Sequence, residues 1–382
     1  MRSAALVFLS LAGLALLPGS AAALSLPDSA RIDSAVKNLV RMKGGPPGVF
    51  VVVQRGDEVG LRTAGVANVR TRARWKASDH MRLASFAKTF SGATSLALVS
   101  QGLLNLDEPI TVKRPDLPAA WSGVTLRQAL NHTSGLPNYT EARELQSRLQ
   151  RDPRSPLPPR ELVDLVADEP LQFAPGTRYR YSNTDNIVVG LLVEEATGGS
   201  YDAALQSLVF GPLGLTQTSL PAGFRMPAPY VHGYDVQPPA APQDLSTVIS
   251  QSLLWAAGGM VTTASEVNTF IRGYAGGPRL FNDAVRAQQL DFIPGGRSQP
   301  PGPGKNSAGL ALFRYETRCG TVFGHTGNLP GYTQFAATSP DGASSVVVSV
   351  NEQLSPDIEG KERVFAALRR VYELAVCSAL VR

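Results

Sequence analysis

The chain has 382 residues, of which 43% are hydrophobic and 18% charged, and its formal net charge is +5. This composition is that of a globular protein with enough apolar residues for a large core, and the small net charge makes nucleic acid an unexpected partner. Length alone allows one large domain or two.

The first 23 residues have the pattern of a secretory signal peptide. Arg2 is their only charged residue, an apolar run covers residues 4–17, and Ala21 and Ala23 have the small-x-small spacing of a cleavage site. The run is short for a membrane span, which needs about 20 residues. We therefore expect cleavage after Ala23, secretion to the extracellular space or the periplasm, and no stable membrane anchor.

The next elements are predicted to be a helix and a hairpin. Apolar residues recur at helical spacing over residues 28–42. Two predicted strands, at residues 49–54 and 59–66, follow and are joined by a short turn. This order is typical of the start of an α/β or α+β sheet domain.

From residue 85 to about residue 252 the pattern is mostly helical, with helices predicted at residues 87–101 and 185–196 between long proline-rich loops. A further helix is predicted at residues 265–274. The strand pattern then returns at residues 310–315, 321–325, 332–338 and 344–351, and an amphipathic helix over residues 361–377 ends the chain.

The turns between the last strands are short, so these strands must be antiparallel. We therefore expect an α/β (α+β) fold, in which N- and C-terminal helices flank an antiparallel sheet that also receives the N-terminal strands. A mostly helical region is inserted. The expected organisation is a signal peptide (1–23) and a single catalytic domain (24–382), with a sheet subdomain (24–84 plus 253–382) and a helical subdomain (85–252).

The first motif with chemical meaning is an SxxK, Ser85 to Lys88, at the start of a predicted helix. Three residues make nearly one helical turn, so the hydroxyl and the amine lie on one face. A serine hydroxyl needs a nearby base to become a nucleophile, and a lysine is such a base when desolvation lowers its pKa. A second SxxK, Ser34 to Lys37, lies on the polar face of the N-terminal helix, where the lysine is expected to be solvated.

Two further motifs follow Ser85 in order: a YxN, Tyr181 to Asn183, and an HTG that begins at His325. With the flanking segments QALNHTSGLPNYT, FAPGTRYRYSNTDN and VFGHTGNLPGY, the chain resembles the penicillin-binding D-alanyl-D-alanine carboxypeptidases and class C-type β-lactamases. The resemblance covers nearly the whole chain after the signal peptide. It implies a β-lactamase/transpeptidase-like fold.

The resemblance also implies roles for the motif residues. Ser85 attacks a carbonyl and becomes acylated, while Lys88 and Tyr181 share the proton transfers. Which of these two is the primary base stays open at this stage. Asn183 is expected to orient Lys88 and to hold the substrate amide.

The HTG segment is expected to line the substrate site. His325 donates to Tyr181 or to the substrate, and Thr326 and Gly327 continue the strand edge. The backbone amide of Asn328 is expected to form the oxyanion hole together with that of Ser85. Trp255 resembles a residue that lines the pocket of the family, although a core position is equally compatible with its sequence context.

The substrate is less well defined by the motifs. His325 stands where most β-lactamases carry lysine, which favours carboxypeptidases, esterases and aminopeptidases of the family. Arg314 and Arg318 are candidates for the cation that reads a terminal carboxylate. We expect a D-alanyl-D-alanine carboxypeptidase that acts on peptidoglycan stem peptides and is acylated by β-lactams; the alternatives are a β-lactamase, an esterase, a D-aminopeptidase and a penicillin-binding sensor without turnover.

The remaining cysteine and histidine residues point to structural roles. Cys319 and Cys377 are the only cysteines, and in an exported chain such a pair predicts a disulfide. Neither lies in a CxxC and no histidine has zinc-ligand spacing from them, so no metal or organic cofactor is expected. His132, in the NHTSG segment, is expected to be a structural loop residue. We expect a monomer.

Overall fold

The computed structural model describes residues 29–277 and 279–381, so the predicted signal peptide and its cleavage site lie outside the described residues. Within these residues the centre of the fold is an eight-stranded sheet. All strands, numbered in chain order, are β1 (Gly48–Arg55), β2 (Glu58–Gly65), β3 (His80–Arg82), β4 (Tyr234–Asp235), β5 (Gln243–Asp244), β6 (Val261–Thr263), β7 (Ile293–Pro294), β8 (Lys305–Gly309), β9 (Leu312–Thr317), β10 (Gly320–Leu329), β11 (Tyr332–Thr338) and β12 (Ser344–Val350).

The main sheet has the order β2-β1-β12-β11-β10-β9-β8-β7, and each neighbouring pair is antiparallel. The N-terminal hairpin therefore pairs with the last strand, with Val49 opposite Val350. The predicted fold class and the return of the N-terminal strands to the C-terminal sheet are confirmed. Strand β1 is buried at almost every position, because helices cover both faces of the sheet.

The helices connect and cover these strands, and none in the described residues combines the length and apolarity needed to cross a membrane. In chain order they are α1 (Ser29–Arg41), α2 (Lys88–Ser100), α3 (Ile110–Lys113), α4 (Leu126–Leu130), α5 (Arg143–Arg151), α6 (Pro159–Asp164), α7 (Asn183–Thr197), α8 (Tyr201–Leu205), α9 (Gly211–Leu213), α10 (Trp255–Gly258), α11 (Ala264–Ala275), α12 (Asp283–Gln289) and α13 (Glu362–Leu380).

Two apolar cores lie on opposite faces of the sheet. On one face, α1 and α13 pack together and bury Ile32, Val36 and Leu368. On the other face, α11 and the helical region form the larger core. Helices α2 and α7 pack against each other there and are buried along most of their length, because apolar or small residues occupy nearly all sides of both helices.

One predicted strand, at residues 310–315, is wrong in its extent. The structure has two strands there, β8 and β9, separated by Leu310 and Ala311. The amide of Leu310 donates to the carbonyl of Gln289 at 3.1 Å, and that of Ala311 donates to the carbonyl of Leu130 at 2.7 Å. Gly309 lies opposite Leu312, so Leu310 and Ala311 form the two-residue turn of a hairpin, with a φ of 51° at Ala311.

A disulfide joins Cys319, in the turn between β9 and β10, to Cys377 in α13, and this prediction is confirmed. It closes a loop over a sequence separation of 58 residues. Replacing both cysteines with alanine is expected to lower the free energy of unfolding by about 2–4 kcal/mol, because the unfolded chain gains freedom. Urea unfolding of the two proteins measures the difference; equal midpoints and slopes would contradict it.

Candidate active site

Ser85 lies at the junction of a strand and a helix. It follows β3 in one turn of 3₁₀ helix, Ala84–Ala87, which leads directly into α2. Strand β10 passes close beneath this turn: a Cβ added at Gly327 would lie 2.2 Å from the carbonyl oxygen of Leu83. Glycine in the HTG motif is therefore required for the close approach of β10 to Ser85.

Lys88, one turn after Ser85, is completely buried. Its Nζ lies 3.3 Å from Ser85 Oγ, 2.7 Å from Asn183 Oδ1 and 2.8 Å from the carbonyl oxygen of Ala257. Burial lowers the pKa of Lys88 to about 7, although the negative charge of Asp185 opposes this. A neutral amine that donates to Asn183 and Ala257 has its lone pair left for the Ser85 hydroxyl.

The orientation of Asn183 is fixed by its neighbours. Its Nδ2 donates to Asn138 Oδ1 at 3.3 Å and to Thr140 Oγ1 at 3.1 Å, so Oδ1 must face Lys88. Its backbone amide also donates to Asn138 Oδ1, at 3.0 Å. Helix α7 therefore begins at Asn183, two residues before the predicted start.

Tyr181 and His325 face each other across the site, with ring centroids 6.5 Å apart. Burial raises the pKa of Tyr181 above its usual value, and the nearby Ser85 hydroxyl offsets this only in part. Burial lowers the pKa of His325 to about 3, so its ring is neutral. Tyr181 Oη and His325 Nε2 are buried without a well-formed hydrogen bond to any described residue. Of the two residues, Tyr181 lines the cavity over Ser85, so its Oη is available to a substrate.

The tautomer of His325 follows from its other nitrogen. Nδ1 bonds to the backbone carbonyl of Thr326, which only accepts, so Nδ1 carries the hydrogen. Nε2 of the neutral ring is then an acceptor. This tautomer differs from the expectation that His325 donates to Tyr181 or to the substrate, and the ring is completely buried.

A cavity of about 270 Å³ opens over Ser85. Strand β10 borders it with an open edge, because β9 pairs with β10 only as far as Gly324. The lining residues come from the three motifs, the loop before β8 and the loop between β12 and α13, and are Ser85, Tyr181, Asn183, Gln299, Pro300, Asn328, Gln353, Ser355, Asp357 and Ile358.

The rest of the HTG segment supports this cavity in different ways. Asn328 lines it, while its Nδ2 donates to the carbonyl of Leu354 at 2.6 Å. Thr326 does not line it, because its Oγ1 is buried and donates to the carbonyl of Pro300 at 2.7 Å. The expected contact of the Thr326 side chain with substrate is thus replaced by a contact that holds the wall of the cavity.

Trp255 is not among the residues that line the cavity over Ser85, so of the two positions that the sequence left open it does not occupy the one in the pocket. Its ring packs against Gly190 of α7, where an added Cβ would lie 2.6 Å away, and against the ring of Tyr201 at 5.1 Å. It lines a separate, apolar cavity between the helices and a proline-rich loop. Trp255 is therefore a packing residue of the helical region.

The two candidate carboxylate readers also lie elsewhere. The guanidinium of Arg314 sits 4.9 Å from the ring centroid of Phe292 and 3.4 Å from Glu316. Arg318 forms an exposed ion pair with Glu373 at 2.9 Å. Neither is among the residues that line the cavity.

Sequence patterns did not identify the loop that supplies Gln353, Ser355 and Asp357. The only sequence feature that indicates this loop is its position directly after a predicted strand. The loop is anchored at Leu354, whose amide donates a hydrogen bond to Thr333 Oγ1 at 2.8 Å.

His132 is in closer contact with the site than the sequence indicated. It is buried, its Nδ1 lies 2.7 Å from Asp185 Oδ2, and its ring centroid lies 4.3 Å from that of Tyr181. The second oxygen of Asp185 accepts from Ser134 Oγ at 2.5 Å. The NHTSG segment is thereby joined to the start of α7 behind Tyr181.

Comparison with known proteins finds a matching protein family and related chains. The family model described as Beta-lactamase matches residues 32–369. Penicillin-binding protein 4* of Bacillus subtilis is 28% identical over 173 residues, which are 45% of this chain and 37% of that protein. The chain thus spans little more than a third of the length of this curated relative.

Solved structures match over nearly the whole chain. A D-stereospecific amidohydrolase from Streptomyces sp. has a TM-score of 0.76 at 28% identity, covering 89% of this chain and 98% of its own. The D-amino acid amidase from Ochrobactrum anthropi has a TM-score of 0.78 at 25% identity, covering 91% of this chain and 98% of its own.

Proposed function

Since this chain belongs to the Beta-lactamase family and is a serine hydrolase of that fold, we propose that it cleaves amide bonds of D-amino acids whose α-ammonium group is free. The substrates would be D-amino acid amides and peptides with an N-terminal D-residue, and Ser85 would carry the acyl group. The two matched amidohydrolases, whose names specify D-stereospecificity and D-amino acid amides, support the choice of substrate.

The observation that carries this proposal is the charge of the cavity. Among the described residues that line it, Asp357 is the only one with a formal charge, and no arginine or lysine lines it. A carboxypeptidase must read a terminal carboxylate, for which a cation is the suited partner. An aminopeptidase or amidase must read an ammonium group, for which a carboxylate is suited. We therefore rank this activity above the D-alanyl-D-alanine carboxypeptidase activity that the sequence favoured.

In the proposed acylation, neutral Lys88 takes the proton of the Ser85 hydroxyl while Oγ forms a bond to the substrate carbonyl carbon. The carbonyl electron pair moves onto the oxygen, which the backbone amides of Ser85 and Asn328 would stabilise. Lys88 is a better candidate for the base than Tyr181, because burial lowers the pKa of the amine and raises that of the phenol.

The carbon–nitrogen bond then breaks, and the leaving nitrogen takes a proton from Tyr181 Oη, which is restored from the Lys88 ammonium. Water, activated by the same two groups, hydrolyses the acyl-enzyme in the second half of the reaction. We also propose that the chain is exported, in agreement with its disulfide.

A matched substrate panel tests the proposal. D-alanyl-p-nitroanilide and D-phenylalanine amide are expected to be hydrolysed, and their N-acetyl derivatives to be far poorer substrates. N-acetyl-D-Ala-D-Ala, nitrocefin and p-nitrophenyl acetate are measured in parallel. Preferential release of D-alanine from the N-acetylated dipeptide would establish the carboxypeptidase instead; dominant nitrocefin or ester turnover would establish a β-lactamase or an esterase, and stable acylation without turnover a sensor.

Asp357→Asn is expected to raise KM for D-alanyl-p-nitroanilide by up to about fivefold, because an ion pair with an exposed carboxylate is lost. Since an N-acetylated substrate has no ammonium group, its kcat/KM should be unchanged by the substitution. Glu359→Gln removes the same charge from an exposed residue of the same loop that does not line the cavity. If both variants behave alike, Asp357 does not read the ammonium group.

A further inference from the structure

A short segment between α4 and α5 contacts the first turn of α7 but is not among the residues that line the cavity. It consists of Asn138 and one turn of 3₁₀ helix, Tyr139–Glu141. The amide of Tyr139 donates to Thr184 Oγ1 at 2.9 Å, and that hydroxyl donates to the carbonyl of Pro137 at 2.6 Å. These backbone contacts hold the segment against α7 independently of the side chain at position 138.

The hydrogen-bond partners of Asn138 fix the orientation of its side-chain amide. The backbone amide of Asn183, which can only donate, lies 3.0 Å from one end of that side chain, so this end must be Oδ1. At the other end, Nδ2 donates to Glu141 Oε1 at 3.0 Å, and an ionised carboxylate only accepts. Glu141 is also bound by Arg180, at 3.3 Å. Both ends of the Asn138 amide are thus determined without reference to Lys88.

The orientation of Asn138 determines that of Asn183 in turn. The end of the Asn183 amide that lies 3.3 Å from Asn138 Oδ1 must be a donor, so it is Nδ2, whose second hydrogen goes to Thr140 Oγ1 at 3.1 Å. Oδ1 is therefore the end that accepts from Lys88 Nζ, at 2.7 Å. Because both hydrogens of Nδ2 are used inside the protein, Asn183 has none left for a substrate amide.

We infer that Asn138 is a positioning residue for the base: by fixing the amide of Asn183, it leaves the lone pair of Lys88 free for Ser85. This inference rests on the proposed role of Lys88, and it assigns Asn183 to the base rather than to the substrate. Neutral Nζ has two hydrogens, and both are used, on Asn183 Oδ1 and on the carbonyl of Ala257. If the Asn183 amide were reversed, its Nδ2 would face Nζ and would occupy the lone pair.

Asn138→Ala tests the inference, because it removes the group that fixes the Asn183 amide and leaves the backbone contacts of the segment in place. Acylation of Ser85 by p-nitrophenyl acetate is expected to slow by about 10- to 100-fold, since the Lys88 ammonium that forms in this step loses a hydrogen bond to Asn183. The limiting rate should fall while the half-saturating ester concentration stays unchanged, because Asn138 acts on the base and not on the substrate.

The pKa of Lys88 separates positioning from packing. It is measured by carbon-13 NMR titration of the Lys88 ε-methylene, assigned by its absence in Lys88→Met. In Asn138→Ala this pKa is expected to fall, because a reversed Asn183 amide places a donor against the ammonium. A merely structural role predicts the opposite sign, since loosened packing admits water and raises the pKa of Lys88 from about 7 toward its ordinary value of 10.5. An unchanged or raised pKa overturns the inference.

Other titratable groups act on Lys88 and are the same in every variant compared, so the shift reports the Asn183 amide. The ring centroid of Tyr181 lies 4.9 Å from Nζ. Asp185 of α7, His132 of the NHTSG segment and His325 of β10 interact with Lys88 electrostatically.

A conservative variant should restore the natural behaviour. Asn138→Asp combined with Glu141→Gln keeps an acceptor for both N–H groups of Asn183, and the new glutamine can donate to the new carboxylate. This double variant should acylate clearly faster than Asn138→Ala, without a fall in the pKa of Lys88. If it is as slow as Asn138→Ala, the orientation of the amide is not what Asn138 supplies, and the inference is overturned.

Two further variants keep the result interpretable. Asn105→Ala is the matched control and should behave as the natural protein, because Asn105 is exposed and its Oδ1 accepts from the amide of Asp107 in its own turn. If Asn138→Ala does not fold, Asn138→Leu, which is close in volume, is titrated in its place and should show the same fall. If D-amino acid amides are not hydrolysed, the proposed function fails, whereas the titration needs no substrate and still decides the inference.

Discussion

Lys88→Met is expected to reduce acylation of Ser85 by about 10²–10⁴-fold, the range over which a positioned general base contributes. Methionine has nearly the volume of the buried lysine stem and leaves Ser85 in place. It removes the amine that lies 3.3 Å from Ser85 Oγ. The rate of covalent labelling by p-nitrophenyl acetate or benzylpenicillin, followed by intact mass, measures the loss.

The second SxxK of the chain supplies the matched control. Ser34 and Lys37 have the same spacing, but both are exposed on α1. Lys37→Met should label at the rate of the natural protein, and Ser85→Ala should not label at all. Labelling of Ser34, or full labelling of Lys88→Met, would remove Lys88 from the role of base.

The pH dependence of the natural protein gives a further check on Lys88. Only the neutral amine accepts the Ser85 proton, so kcat/KM should be low in acid and rise to a plateau as pH passes through about 7, the lowered pKa of Lys88. This rise in kcat/KM near pH 7 should be absent from the residual activity of Lys88→Met. A rise in the natural protein at the ordinary pKa of lysine would show that the amine remains solvated.

Lys361→Met is expected to lower the free energy of unfolding by about 3–5 kcal/mol above pH 7, the range found when one partner of a buried ion pair is removed. Lys361 Nζ donates to Glu352 Oε1, to the carbonyl of Val236 at 2.6 Å and to that of Gly44 at 3.1 Å. Glu352 Oε2 has no partner among the described residues, so removal of the lysine leaves a buried charge without compensation.

The sign of the pH dependence follows from Glu352, whose pKa burial raises from 4.5 to about 7. The folded protein therefore binds this proton more tightly, and the contribution of Glu352 to stability is present below pH 4.5 and is lost as pH rises to 7. In Lys361→Met the Glu352 carboxyl has lost its positive partner, so it is protonated even more easily. The loss of unfolding free energy caused by Lys361→Met, measured in urea, should thus be largest above pH 7 and smaller in acid.

Two variants separate the buried charge from other effects of the substitution. Lys361→Met combined with Glu352→Gln should be more stable above pH 7 than Lys361→Met alone, because no charge is then left buried. Arg370→Met, which breaks an exposed ion pair with Glu373 on the same helix, should change stability by less than about 1 kcal/mol. A defect of Lys361→Met that does not vary with pH would contradict this account.

The ion pair between Glu352 and Lys361 also connects the stability of the fold with the candidate active site. Glu352 and Lys361 stand at the two ends of the loop that carries Gln353, Ser355 and Asp357 to the cavity. Because this ion pair holds the two ends of the loop together, the loop has less conformational freedom and Asp357 is kept at the cavity that Ser85 lines. Lys361→Met should therefore also weaken the discrimination between D-alanyl-p-nitroanilide and its N-acetyl derivative.

The sequence by itself determined the features that depend on near neighbours along the chain. The spacing of Ser85 and Lys88 placed both on one helical turn, and burial separated them from the exposed pair Ser34 and Lys37, as the apolar pattern of α1 predicted. Short turns required the last strands to be antiparallel. The strand pattern also returned the N-terminal strands to the C-terminal sheet, and the family resemblance implied that Tyr181 acts together with Ser85 and Lys88.

Only the tertiary structure decided which charges lie at the cavity and which are buried behind it. Arg314 is near the HTG motif in sequence, but in the sheet it lies opposite Phe323 and its guanidinium packs on the ring of Phe292. Asp357 lies far from Ser85 in sequence and reaches it because β12 delivers its loop to the open edge of β10. Burial of Lys88 likewise depends on packing between α2 and α7, which are distant in sequence and which local periodicity does not bring together, and it is this burial that lowers the pKa of the base.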